Sequence, residues 1–298
     1  MNLIVGSTGQ VGRAVALHLA SAGKPVSALV RPGADAARTQ PLRDAGIPLV
    51  EGDLKDAASL RRACQQVATV VSTASATISR GAGDSIDTVD REGQLRLVDA
   101  ARDAGVRHFV YLSFSGNVRG DFPLHEAKRA VERHLVESGV PYTIVRPSFF
   151  MEVWLSPHAG FDPAGGTVRI YGSGESPVSM ISAADVARFV AGCVDNPAAH
   201  NRVIELGGPE AVTYNAVVAL FESALGRPVA RQHVPEEALE AQMAGAPEPL
   251  QRTLAGLALA VARGDAIDVG PALRVVDIRL TPVQEYVKRV TAQAGPGT

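Results

Sequence analysis

The feature that most constrains this chain is a short apolar run that stops at a glycine turn and gives way to a helical period. Leu3-Ile4-Val5 leads into Gly6-Ser7-Thr8-Gly9-Gln10-Val11-Gly12, and Val11, Val15 and Leu19 then recur at helical spacing up to about Gly23. A helix that begins at such a turn presents unpaired N–H groups and a partial positive charge, so it attracts phosphate. Glycine permits the sharp turn and lets a diphosphate approach the backbone closely. The spacing is GxxGxxG rather than the commoner GxGxxG. Between a strand and a helix it predicts a dinucleotide site; an ordinary glycine-rich βα turn is the alternative.

Strand-like and helix-like stretches alternate after the turn. Residues 25–30 (PVSALV), 48–51 (PLVE), 69–73 (TVVST), 108–113 (HFVYLS) and 142–146 (YTIVR) read as strands, with helices over 36–45, 57–66, 88–104 and 124–138. This alternation predicts an α/β fold, a doubly wound parallel sheet of Rossmann type. Residues 1–155 form the expected nucleotide-binding domain. The pattern loosens over 156–180, an excursion with one strand at 167–171, and returns to the sheet over 181–208 with a helix and a strand. Helices over 214–225, 235–243, 249–263 and 281–291 give residues 209–298 as a smaller, mostly helical substrate lobe. That lobe is expected over the carboxyl ends of the strands, where open α/β sheets bind ligands.

Composition narrows the partners. The 298 residues are 46% hydrophobic and 20% charged, with a net charge of -2, which suits a globular protein and offers no clustered positive field. Nucleic acid and anionic membrane are therefore not expected partners. The longest apolar run, 254–261, is too short to span a bilayer. With no signal peptide in view, the expected compartment is the cytoplasm. Cys64 and Cys193 read as buried free thiols, and no metal site is expected.

Three positions sharpen the cofactor. Arg31 stands about twenty residues after the turn, where an acid would bind a ribose 2′-hydroxyl. An arginine there pairs with a 2′-phosphate, so the cofactor is expected to be NADP(H) rather than NAD. A surface arginine is the alternative, and Asp35 lies too far into the loop to replace the acid. Asp53 follows a strand end and can accept the adenine amino group, or can simply serve its own turn. Thr73-Ala74-Ser75 offers a small surface and hydroxyls for the cofactor, or is a generic loop. Lys128 shares an apolar helix stripe with Leu124, Val131 and Leu135, so an ammonium should face the sheet, where it needs a partner. The nicotinamide ribose would supply one; a stripe-edge lysine reaching water is the alternative.

With these residues in place, the chain resembles the NmrA-like, atypical branch of the short-chain dehydrogenase/reductase superfamily. The resemblance rests on the glycine turn, Arg31, Gly52-Asp53-Leu54, Val110-Tyr111-Leu112-Ser113, Lys128, Arg146-Pro147-Ser148-Phe149-Phe150-Met151 and Ile181-Ser182-Ala183-Ala184-Asp185-Val186-Ala187. It implies an NADP(H)-binding core and adds Leu54, Ser113 and Pro147 to the cofactor set. It also implies that Lys128 is the catalytic residue. One departure matters: the superfamily's Tyr-x-x-x-Lys reads Leu124-x-x-x-Lys128 here, and leucine cannot transfer a proton. Whether Ser113 or Ser115 is the family's serine stays open.

Relatives without the tyrosine divide into reductases of quinones or activated double bonds and redox sensors that bind NADP without turnover. Phe114, Phe149, Phe150, Met151 and Trp154 could line a pocket for a planar apolar substrate, or could pack the core. The expected activity is NADPH-dependent reduction of a small, apolar, conjugated acceptor by a monomer or homodimer. A non-catalytic sensor is the other reading, and His125 ranks low as a substitute acid.

Overall fold

The computed structural model describes residues 1–78 and 81–293. In chain order the first half runs β1 (Asn2–Val5), α1 (Gln10–Ser21), β2 (Val26–Val30), α2 (Ala36–Asp44), β3 (Leu49–Glu51), α3 (Ala57–Ala63), β4 (Thr69–Ser72), α4 (Glu92–Asp103), β5 (His108–Leu112), α5 (Pro123–Glu137) and β6 (Tyr142–Pro147). The second half runs α6 (Met151–Trp154), β7 (Phe161–Asp162), β8 (Thr167–Tyr171), α7 (Ala183–Cys193), β9 (Arg202–Leu206), α8 (Tyr214–Leu225), β10 (Ala230–Val234), α9 (Glu236–Gly245), α10 (Pro249–Arg263), α11 (Gly270–Leu273) and α12 (Val283–Gln293).

Seven strands pair in the order β3-β2-β1-β4-β5-β6-β9, every pair parallel. The winding reverses between β1 and β4, so the crevice at their carboxyl ends is the expected ligand position. Alternate strand residues serve opposite faces. Ile4, Val71, Val110 and Val145 pack under α1 and α7, while Val5, Val70, Tyr111 and Ile144 pack with Leu60, Leu97 and Leu135 of α3, α4 and α5. With both faces covered, β1, β2, β4 and β5 are buried throughout. The doubly wound sheet expected from the sequence is the one observed.

Two findings refine that expectation. The helix read over 88–104 opens as a π-helical turn, Ile86–Arg91, capped by Ser85 and Thr88, before α4 begins. The later part of the chain also carries a sheet of its own, β10-β8-β7, with β10 parallel and β7 antiparallel to β8. β10 reads Ala-Arg-Gln-His-Val and is almost wholly exposed, so it has no apolar alternation to betray it. Phe161, Ile170, Tyr214, Val217, Phe221 and Val283 form the core beside this small sheet. Ala272, Val276 and Leu280 instead pack back onto the α1–α7 side of the large sheet.

Cys64 and Cys193 are buried free thiols, and burial pushes them up to about 11 and about 12. No described helix is long and apolar enough to cross a membrane.

Candidate functional site

β1 ends at Val5 and the chain turns at Gly6 with φ +84°. A Cβ there would sit 2.7 Å from the Ala74 nitrogen, and one at Gly12 would sit 2.3 Å from the Gly6 carbonyl oxygen. Only glycine fits either position. Gly9 is the N-cap of α1, so no side chain accepts from the first-turn N–H groups, and the first turn carries no acid. The turn therefore fits a diphosphate: its donors are open and the backbone around it is bare. Ser7 is buried and its Oγ donates to the Leu29 carbonyl at 2.8 Å, tying the turn to β2. Thr8 is half-buried and Gln10 exposed at the turn, whereas Val11 packs into the core.

At the end of β2 the Arg31 guanidinium donates to Asp84, and the Lys55 ammonium donates to the other oxygen of the same carboxylate. Lys55 Nζ also lies 3.4 Å from Asp53 Oδ2. Burial disfavours the Asp84 carboxylate, but Lys55, the Gly81 N–H and Arg31 outweigh it and hold the group below its ordinary range. Asp53 Oδ1 accepts the Lys55 backbone N–H at 2.8 Å, so this side chain serves its own turn as well as the ion pair. Leu54 packs inward with Leu29 and Leu60. Asp35 caps α2 by accepting the Ala37 N–H. Neither Lys55 nor Asp84 stood out in the sequence.

The loop after β4 passes against the glycine turn. Thr73 Oγ1 donates to the Val5 carbonyl at 3.2 Å, and the Ser75 hydroxyl lies 3.1 Å from that of Thr77. Two buried side chains hold this loop from behind. Asp90 Oδ2 accepts the Ala76 N–H at 2.9 Å; Gln94 accepts from Ser72 at 2.8 Å and donates to the Ala74 carbonyl at 3.3 Å. Lys128 comes from α5 into the same place and is 5% exposed. Its ammonium donates to the Leu112 carbonyl at 3.2 Å, lies 3.8 Å from Asp90 Oδ1, and stands 5.0 Å from the Tyr111 ring centre. Burial pulls it below the ordinary lysine value, with Asp90 and Glu132 opposing. The apolar stripe thus turns Lys128 to the sheet, as its spacing predicts. Asp90, Gln94, Leu97 and Ala101 repeat that spacing, so the polar pair that completes the site carried the same signal.

The segment after β5 divides its two serines. Ser115 Oγ donates to Asp265 Oδ1 at 2.6 Å, Asn117 donates to the same oxygen at 2.9 Å, and Ser148 donates to Oδ2 at 2.7 Å. Ser115 is thereby committed to a buried carboxylate from the far part of the chain. Ser113 lies near Glu132, four residues beyond Lys128 on α5, and its buried hydroxyl makes no hydrogen bond among the described residues. Glu132 accepts from Arg129 at 2.6 Å and from Arg146 at 2.5 and 3.0 Å, and Arg146 reaches Glu205 at 3.1 Å. Burial works against the Glu132 carboxylate, but Arg146, Ser113 and Arg129 outweigh it and hold it below its ordinary range. Glu205 in turn accepts the Gly116 N–H at 2.9 Å, and Pro147 accepts the Ser115 N–H at 2.9 Å. The loop carrying Ser113 and Phe114 is thus fixed from both sides.

Leu124, four residues before Lys128, packs with Phe122, Phe149 and Met151. Tyr111 is fully buried away from the crevice surface, and burial drives its phenol well above the usual value. His125 lies tilted against Phe114 and Phe122 with ring centres 6.0 and 5.7 Å away, and burial with Arg129 nearby lowers its pKa. Phe149 and Trp154 meet edge to face at 5.2 Å, and Trp154 meets Tyr171 at 5.9 Å. Phe114, Phe149 and Trp154 share the core beside the small sheet, but Phe150 packs on the α1–α7 side of the large sheet. The expected aromatic wall is therefore shorter than the run of residues that suggested it, because Phe149 and Phe150 face opposite ways. Among the described residues no group of three or more His, Cys, Asp or Glu could hold a metal ion.

The strand order and the turn between β1 and α1 define an α/β chain of Rossmann type. The profile of the NmrA-like family matches residues 2–287, and the chain belongs to that family. It is 32% identical to an isoflavone reductase homologue from Zea mays, over 96% of this chain and 97% of that one. It is 30% identical, over the same shares, to a phenylcoumaran benzylic ether reductase from Pyrus communis. The structure of an isoflavone reductase superposes with a TM-score of 0.78 at 27% identity, covering 97% of this chain and 98% of that one. A quinone oxidoreductase from Escherichia coli, crystallised with NADPH, shares the fold at a TM-score of 0.79 and 24% identity, covering 97% and 99%.

Proposed function

We propose that this chain is an NADPH-dependent reductase that delivers hydride to a small, apolar, conjugated acceptor of quinone or enone type. The observation that carries the reading is Lys128: a buried ammonium beside the crevice, with Asp90 within ion-pair range and no phenol four residues before it. Bound NADPH would supply the hydride. The diphosphate would lie on the first turn of α1 between Gly6 and Gly12, Arg31 would take the 2′-phosphate, and the backbone of 73–75 would pass beneath the nicotinamide ribose. Lys128 would donate to the ribose hydroxyls and keep a proton close to the reacting carbon. Asp90 would stabilise its charge through the turnover. An acceptor already polarised by conjugation needs little help from a side-chain acid, which agrees with Leu124 at the position of the usual tyrosine. Phe114, Phe149 and Trp154 would supply the flat apolar wall. The reductase relatives support the same class of reaction.

Leu124 also favours a second reading, an NADP(H) sensor without turnover. One assay separates the two: loss of nicotinamide absorbance with a panel of quinones and enones, alongside calorimetry of NADPH binding. Turnover with any acceptor upholds the reductase. Tight NADPH binding with no turnover overturns it in favour of the sensor.

A further inference from the structure

The chain holds its own anion where a 2′-phosphate would bind. Asp84 lies on the turn 81–84, and its carboxylate is gripped by Arg31, Lys55 and the Gly81 N–H at once. Its side chain is 4% exposed, although the Arg31 side chain beside it is 42% exposed. The turn is fastened downstream, where Thr88 Oγ1 donates to the Gly83 carbonyl at 3.0 Å and the Lys55 ammonium donates to the Ala82 carbonyl at 3.3 Å. On the other side, a Cβ at Gly83 would meet nothing within 4 Å, so open space adjoins the turn.

We propose that Asp84 is a built-in competitor for the 2′-phosphate and sets how strongly the protein prefers NADPH to NADH. The inference rests on the NADP(H) reading above. Four charges decide it: Arg31 and Lys55 are positive, Asp53 and Asp84 negative, and together they are neutral. A phosphate monoester brings about -1.5 to -2. Adding it to a neutral cluster gains little and sets it against the Asp84 carboxylate. Moving Asp84 aside leaves one net positive charge and frees the donors of Arg31 and Lys55 for bidentate binding. NADPH therefore binds by exchange of carboxylate for phosphate, and its apparent affinity is reduced by the fraction of molecules in which Asp84 holds the site. NADH carries no 2′-phosphate and has no use for the exchange.

Calorimetry with 2′,5′-ADP and 5′-ADP, on the wild-type chain and on Asp84→Asn and Asp84→Ser, tests this without any turnover. Both variants should bind 2′,5′-ADP several-fold to about tenfold more tightly than wild type, with 5′-ADP changed less than twofold. The two substitutions guard against a local folding defect, which thermal melting would report. Equal or weaker binding of 2′,5′-ADP by melting-competent variants overturns the proposal and makes Asp84 a group that merely positions Arg31. If the wild-type chain fails to prefer 2′,5′-ADP over 5′-ADP, and the variants fail too, the NADP(H) reading falls with it.

Discussion

At one end of the crevice, Arg31 and Lys55 meet Asp84 on an exposed turn; at the other, Lys128, Arg129, Glu132 and Arg146 meet Asp90 and Glu205 beneath α5 and beside β6. In the first group the Asp84 carboxylate is covered but the Arg31 side chain beside it is 42% exposed, and a turn, not a helix, carries the acid. In the second, Lys128 and Asp90 are buried, and Glu132, 5% exposed, accepts from two arginines at once. A pair with one water-exposed member can exchange partners at lower cost than a pair buried on both sides, which leaves an uncompensated charge when it loses one member. On the reading proposed above, the Arg31–Lys55 charges would serve the cofactor's far end and the charges around Lys128 its reacting end.

That contrast can be broken by single substitutions. The largest effect is expected for Glu132→Ala, which removes the buried carboxylate shared by Arg129 and Arg146 and should cost about 3–5 kcal/mol in urea unfolding. The sign with pH is definite. Glu132 is held below its ordinary carboxylate value, so its contribution is present above that value and fades as pH falls through the lower, folded one. Wild type should therefore lose stability on the acid side of the ordinary glutamate range, and the variant should lose less there.

Next comes Lys128→Met. It should lower turnover by about a hundredfold or more, the scale of a lost proton-handling group, while binding of 2′,5′-ADP stays within about twofold. Unchanged turnover would remove Lys128 from the chemistry. The smallest of the three is Arg31→Ala. It should weaken NADPH about ten- to a hundredfold, the worth of a charge-assisted bond, and leave NADH nearly untouched. Equal losses for both cofactors would undo the contrast between the two ends.

Much of this architecture was legible in the sequence because parallel strands covered on both faces read as short apolar runs, and because Gly6 and Gly12 have steric reasons to be glycine. Lys128 was legible as a charge on an apolar stripe. Asp90 and Gln94 follow the same rule, yet the π-helical turn ahead of α4 blurs the helix start on which such a stripe is counted. Asp84 and Lys55 were invisible, since only the folded turn brings position 84 beside positions 31 and 55. β10 was missed because an exposed edge strand need not alternate. Asp265 sits far along the chain from Ser115 and Ser148, and no local pattern links them.

Asp265 has a mechanical consequence. One buried carboxylate takes three side-chain hydrogen bonds, from Ser115, Asn117 and Ser148, while its backbone pairs with Pro177 and Ser179 beside the small sheet. Prising the two sheets apart would break these bonds together, each costing about 1.5–3 kcal/mol where a charge is involved. The molecule is bolted at that point rather than hinged, and the segments that Asp265 joins are held in one relative pose.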